Sequence, residues 1–376
     1  MKKYGDYLVV GSGAVASAVM TALSEKGVSF SVSIENENYI HRQDLFDAST
    51  YMFFSGLGGL ANYWHSVIDS HWFDQEKNEI DLHLLKLFGI NSIANRNSEV
   101  IPLKPLRPKS LFKKFAPLHI FKASERIISA KNGVRVYFKD GENTLFKKVF
   151  ICTGALSNKD ILVKSGLAKL SENLSDHVIG YSEDLFYNIS DAYIVSDRIK
   201  WAFARKYELE SNFKSTFRPI FSERPPNPKN KSIYSGSSIE VMKNIFSKAS
   251  IPLIKEAISL RYGIQLSKPV SYRKFYQINI PNCYVKSKNK FIVNDKLIKN
   301  TLNSTKENVQ SESLLSGIHF YNSLSKVDSD VIVRKSSREG KIFLFSSGYD
   351  FNPGPYHFTY YLMKNAYNSI IESIVE

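Results

Sequence analysis

Gly11-Ser12-Gly13-Ala14-Val15-Ala16 follows the apolar run Tyr7-Leu8-Val9-Val10 and leads into a helix-forming stretch from Ala14 to Lys26. Gly27 stands where a helix C-terminal glycine belongs, and Ser29 to Ile34 reads as a second strand. That order is one βαβ unit with its glycine turn at the carboxyl end of the first strand, where open α/β sheets bind ligands. In such a turn Gly11 supplies the tight bend, Gly13 lets a pyrophosphate approach the backbone, and small Ala16 lets helix and strand pack closely. Amides at Ser12, Gly13 and Ala14 lie at the start of the helix, where they favour an anion. Glu35 ends the next strand, at the place of an acid that hydrogen-bonds a ribose hydroxyl. The unit predicts dinucleotide binding.

Beyond it, residues 37–115 read as irregular, with the glycine segment Gly56-Leu57-Gly58-Gly59 and prolines at Pro102, Pro105 and Pro108. From Ala123 the period changes to two. Ile127 to Ala130, Val134 to Phe138 and the Asp140-Gly141 turn predict an antiparallel meander that feeds the apolar strand Lys148-Val149-Phe150-Ile151-Cys152. That strand ends in Thr153-Gly154-Ala155, with a helix expected from near Asn158. Residues 180–316 alternate aromatic and basic residues without a βα rhythm, and Pro225 to Lys231 reads as an exposed loop. This block reads as a second domain inserted between pieces of the first. The last sixty or so residues return to a strand at Lys341–Phe345, a Gly/Pro turn and a helix from Thr359 to Val375.

Length and composition narrow the function class. A chain of 376 residues with 43% hydrophobic and 23% charged residues is globular and long enough for two domains. Cys152 and Cys283 are its two cysteines, too few for a disulfide framework or a four-thiolate zinc site. No metal is expected: His41, His71, His83 and His119 have no partners at ligand spacing. A net charge of +14 favours anionic ligands, and Arg261, Lys268, Arg273 and Lys274 fall in the inserted block, where arginine suits a phosphate or carboxylate. Zinc-finger spacing and RNA-binding aromatic signatures are absent, so no nucleic-acid partner is expected. The apolar stretch behind Lys2 and Lys3 is interrupted by Gly11 and Gly13, which serve the turn better than a secretory signal. With no run of 18 apolar residues, no integral membrane segment is expected and the protein is placed in the cytoplasm.

The return by an apolar strand ending in Thr153-Gly154 resembles the two-dinucleotide-binding-domain flavoproteins, which favours FAD over NAD. More closely, the chain resembles the glucose-methanol-choline oxidoreductases, in particular their pyranose-oxidase-like and bacterial sugar-dehydrogenase branch, in shortened form. Gly56 to Trp64 looks like that family's glycine segment along the flavin, placing Gly58, Gly59, Asn62, Tyr63 and Trp64 at the cofactor. Thr153-Gly154-Ala155-Leu156 and the stretch to Leu167 are similar to its second signature, Asn173-Leu174-Ser175-Asp176-His177 to the motif that follows, and Tyr276 to Asn282 to its substrate-sheet strand. The resemblance implies a Rossmann-like FAD-binding domain, with parallel sheet and β-meander, built from 1–66, 120–180 and 317–376. It implies an inserted α+β substrate or cap domain on an antiparallel sheet, from 67–119 and 181–316.

The family's catalytic pair is a histidine ahead of the C-terminal strand and a second His or Asn in the turn after it. His319 matches the first; the strict register puts Pro355 at the second, and small shifts offer His357 or Asn352. A histidine there would take an alcohol's proton while hydride leaves for flavin N5. The expected substrate is a secondary alcohol of a sugar or sugar derivative carrying negative charge, and the electron acceptor is open among oxygen, a quinone and a protein. Departures are clear: Phe320-Tyr321-Asn322-Ser323 replaces the usual Gly-Thr after the histidine, and Ser346-Ser347-Gly348 stands where most members hold the flavin ribityl with an aspartate. Tyr63 replaces the histidine that bonds FAD covalently in some relatives, so binding is expected to be non-covalent. His65 and His177 are further candidates, the second as a fold-supporting residue. Two other readings stay open: a flavin-dependent sugar isomerase or mutase without net oxidation, and a member that binds a partner and has lost chemistry.

Overall fold

The computed structural model describes residues 4–35, 40–41, 54–62, 66–73, 79–88, 90, 97–102, 106–115, 117–187, 194–195, 202–210, 213–220, 270–288, 290–304, 314–315 and 320–374. The architecture is mixed α/β, with one parallel sheet and a larger antiparallel one. In the parallel sheet the strands run in the order Val331–Val333, Ile342–Leu344, Lys148–Ile151, Tyr7–Val10, Phe30–Ser33, Ile120–Phe121, with every pairing parallel.

Both faces of this sheet are covered, which is why its strands read as apolar runs and not as alternations. Val9, Phe150 and Phe343 face the Ala14–Glu25 and Thr359–Ser373 helices. Leu8, Val10, Val149, Ile151, Ile342 and Leu344 face the three-stranded meander Ser124–Ala130, Gly133–Phe138 and Asn143–Phe146. Small residues let the two helices approach: Ala14, Ala16, Ala18 and Ala22 are all buried. Lys148 closes the C-terminal end of the second helix, its Nζ donating to the carbonyls of Ser373 at 3.0 Å and Arg338 at 3.1 Å.

The sequence reading and the structure differ in local detail. Within 37–115, two helices form at Glu79–Leu87 and Pro108–Phe115. Pro108 opens its helix, a position where the missing N–H costs nothing, and Leu84, Leu85 and Phe112 are buried against the main core. Tertiary burial, more than local propensity, stabilises such short helices. Asp81, fully buried, accepts from Tyr360 Oη and Lys364 Nζ at 2.8 Å each and ties the first of them to the C-terminal helix. The helix after Ile151 begins at Gly154 and not near Asn158, and runs on as one π-helical turn, Lys159–Val163.

Among the described residues the second sheet has nine strands. Its path is Leu314–Leu315, Asn173–Phe186, Ser271–Ser287, Phe213–Ile220, Ala202–Glu210, Ser98–Pro102, Ile68–Asp69, with Ile194–Val195 and Lys290–Val293 as side pairs. All its pairings are antiparallel. Among the described residues no helix is long and apolar enough to cross a membrane.

Candidate functional site

A cleft of about 480 Å³ opens at the carboxyl ends of the parallel strands, bordered by Val10, Ser33, Cys152 and Phe345. Gly11 lines it with φ at +113°, and its N–H donates to the Ser33 carbonyl at 2.8 Å. A Cβ there would stand 2.8 Å from the Cys152 carbonyl oxygen, so only glycine fits. Gly13 starts the helix without any side-chain cap, and Gly13, Ala14 and Val15 line the cleft. The first-turn amides thus remain to satisfy a ligand. Ala16 is fully buried behind them.

The glycine segment forms one wall. Gly56, Gly58 and Gly59 line the cleft, and Gly58 N–H donates to Ser12 Oγ at 2.8 Å. Asn62 ends the 3₁₀ turn Gly59–Asn62. Tyr63, Trp64, His65 and His319 lie outside the described residues. At the outer end of the cleft Glu35 meets Lys139 at 3.8 Å, an exposed pair that contributes little to stability.

Thr153 and Gly154 line the opposite wall together with Ser346 and Ser347. A short polar relay links them: Thr153 Oγ1 donates to Asn158 Oδ1, and Asn158 Nδ2 donates to Ser346 Oγ. Gly348 leaves the room this relay needs, since a Cβ on it would stand 2.9 Å from Asn158 Nδ2. Ser347 Oγ donates to the Phe320 carbonyl at 2.7 Å. Arg334 holds the turn from below, donating to the carbonyls of Ser346 at 3.1 Å, Tyr349 at 2.6 Å and Asp350 at 2.5 Å.

The two candidates of the C-terminal turn are separately anchored. Asn352 Oδ1 accepts from Asn279 Nδ2 at 3.1 Å and from Gly354 N–H at 3.2 Å, and Asn279 in turn accepts from Tyr321 Oη. His357 Nε2 lies 3.4 Å from Glu99 Oε1, and its backbone N–H donates to Asp69 Oδ2 at 2.5 Å. Phe358 and Thr359 line the cleft, so the turn joins it to the antiparallel sheet. His177 is fully buried against the same turn, its Nε2 3.4 Å from the Gly354 carbonyl. Burial first, then the neighbouring His357, pushes its pKa down to about 3, and the imidazole is neutral at ordinary pH.

Sequence reasoning missed three residues beside His357. Lys214 Nζ lies 2.8 Å from Asp69 Oδ1 and 2.7 Å from Glu99 Oε1, all three side chains almost wholly buried. Burial works against the ammonium, but Asp69 and Glu99 more than offset it and leave its pKa above the usual lysine range. The one available signal was Lys214 itself, charged at an inward position of the strand Phe213–Ile220. Asp69 sits on a strand of two residues, too short to show alternation, and Glu99 on the five-residue strand Ser98–Pro102.

No protein-family model matches the chain, and no curated protein sequence matches it. Among solved structures it is similar to pyridoxine 4-oxidase from Mesorbium loti, at 11% identity and a TM-score of 0.46, over 97% of this chain and 98% of that one. It is also similar to NikD, described as an unusual amino acid oxidase, at 9% identity and a TM-score of 0.40, over 99% of this chain and 95% of that one. A third is the tetracycline destructase Tet(51), at 13% identity and a TM-score of 0.39, over 98% of this chain and 80% of that one.

Proposed function

We propose that the chain is a flavin-dependent oxidoreductase that binds FAD non-covalently and oxidises a CH–OH group of a sugar or sugar derivative. The observation that carries this reading is the cleft itself. Its floor excludes a side chain at Gly11, the uncapped start of the Ala14–Glu25 helix faces it, and Glu35 stands at its outer end. These fit the pyrophosphate and ribose of a dinucleotide. The wall of Thr153, Gly154, Ser346 and Ser347 extends the cleft toward Phe320 and Phe358, where a flavin ring would reach the antiparallel sheet.

When bound, the flavin supplies a two-electron acceptor for the hydrogen on the alcohol carbon. The protein supplies proton handling and orientation. His319, next to the cleft-lining Phe320, takes the hydroxyl proton in this reading. His357, anchored beside Glu99, is the group that hydrogen-bonds the substrate oxygen as negative charge develops on it. Asn352, fixed by Asn279, orients the hydroxyl from the same turn. Phe320, Phe345 and Phe358 keep water from the reacting end.

The test is the visible spectrum of the purified protein before and after acid precipitation, followed by anaerobic addition of a panel of sugars and simple alcohols. Flavin bands that leave with the supernatant, and bleach on adding one of these alcohols, are expected. A colourless protein that takes up no added FAD would overturn the reading.

A further inference from the structure

Thr153, Ser346 and Ser347 line the cleft, and the protein behind them fixes what each hydroxyl can still do. Ser346 is 1% exposed, and its Oγ accepts from Asn158 Nδ2 and from Gly348 N–H, the second at 3.0 Å. A hydroxyl oxygen has two acceptor positions and one proton. Both acceptor positions of Ser346 are therefore filled, and among the described residues its O–H has no acceptor. Thr153 is the reverse case: its O–H donates to Asn158 Oδ1, which leaves its lone pairs. Ser347 is like Thr153, since its O–H donates to the Phe320 carbonyl at 2.7 Å. The wall thus offers the cleft a donor from Ser346 and acceptors from Thr153 and Ser347. Asn158 makes the division. Fully buried at the end of the short helix Gly154–Asn158, it meets Thr153 with its amide oxygen and Ser346 with its amide nitrogen.

We propose that Asn158 is a positioning residue that sets the polarity of this wall, and that the wall takes an uncharged polyol chain. Hydroxyls of such a chain give protons to Thr153 and Ser347 and receive one from Ser346. The inference deepens the flavin reading above and rests on it. A phosphate or carboxylate, which only accepts, would suit Ser346 and leave the lone pairs of Thr153 and Ser347 facing its own; an ammonium, which only donates, would do the opposite. A hydroxyl both gives and receives, so a run of them answers all three side chains. The partners that fix the three hydroxyls are themselves neutral: an amide side chain, a backbone N–H and a backbone carbonyl. Two molecules of the proposed reaction carry such hydroxyls, the sugar-alcohol chain of the flavin dinucleotide and the sugar substrate. Asn158, fully buried, acts through Thr153 and Ser346 and not on the ligand.

The test compares FAD with ADP, which shares the adenosine and phosphates but lacks the sugar-alcohol chain. Ser346→Ala deletes the donor. Asn158→Asp, nearly isosteric, turns it, because a carboxylate accepts from both hydroxyls and draws the Ser346 proton inward. In the full-length protein each variant is expected to raise the Kd for FAD by at least about tenfold, the ordinary worth of one hydrogen bond, and to leave the Kd for ADP within about twofold. A merely structural role would weaken both ligands alike, and that outcome overturns the proposal. If Asn158→Asp does not fold, Ser346→Ala decides alone. Unmoved FAD affinity, with at least about a tenfold rise in the concentration of alcohol that half-bleaches the flavin, upholds the wall and assigns it to the sugar substrate. If neither quantity moves, the wall's role is overturned while the flavin reading stands. A wild-type protein that takes up no FAD overturns the flavin reading and this proposal with it, so the two failures are separable.

Discussion

Gly11 lies so close to Cys152 that a methyl group on it would stand 2.8 Å from the Cys152 carbonyl oxygen. The contact joins the first strand to the one that returns beside it, since Cys152 N–H donates to the Val10 carbonyl at 2.8 Å. Gly11→Ala must either move one strand end or force a φ of +113° on an L-residue. We expect a loss of about 2 kcal/mol or more in urea unfolding. Bound flavin per chain should fall more steeply than stability, because the displaced turn is the floor of the cleft.

Ser12 offers a milder test of the same turn. Its hydroxyl accepts the buried N–H of Gly58, which no alanine could do. Ser12→Ala should cost about 1–2 kcal/mol, the ordinary penalty for a buried donor left unsatisfied. It should also weaken FAD binding by releasing the glycine segment, read as a rise in Kd by fluorescence quenching. Equal FAD affinity in wild type and variant would show that the segment is held by other contacts.

The parts of this molecule legible in its sequence are those with local grammar. The βαβ turn, the meander and the apolar strand before Thr153 each have their own period and punctuation, and the structure has them. Pro108 reads as loop in the sequence because proline punctuates loops; at the first position of a helix it does the opposite. Asp69, Glu99 and Lys214 are far apart in sequence and meet only because three separate strands enter one sheet. Nothing in a local window encodes that pairing. His357 stands out in its Gly/Pro turn, but its partners come only with the fold.

Arg334 makes three contacts to backbone carbonyls around Ser346–Asp350, while its guanidinium lies 5.1 Å from the centre of the Phe351 ring. The planar fork suits this geometry in a way an ammonium does not. Arg334→Lys should therefore behave more like a deletion than a conservative change. We expect about 2 kcal/mol lost for Arg334→Ala and at least half of that for Arg334→Lys, by chemical denaturation. Because Ser346 and Ser347 line the cleft, both variants should also bind flavin more weakly. Full retention of stability in Arg334→Lys would show that charge alone, and not the fork, supports the turn.

His177 makes stability depend on pH in a predictable direction. Its pKa in the folded protein is about 3, against 6.5 for the ordinary imidazole, with burial the main cause. Between those values the unfolded chain binds a proton that the folded one refuses, so lowering the pH favours unfolding. The contribution is fully present above pH 6.5 and is lost as the pH falls towards 3. Integrated over that window it is on the order of 4 kcal/mol. Unfolding free energies measured at pH 7, 5.5 and 4.5 should therefore decline, with a slope approaching one proton per chain from this residue. His177→Gln removes the titrating group, and its stability should fall less steeply over the same range even if it begins lower at pH 7. Parallel pH profiles for the two proteins would mean that the buried imidazole gains its proton without unfolding, and would assign the acid sensitivity to other groups.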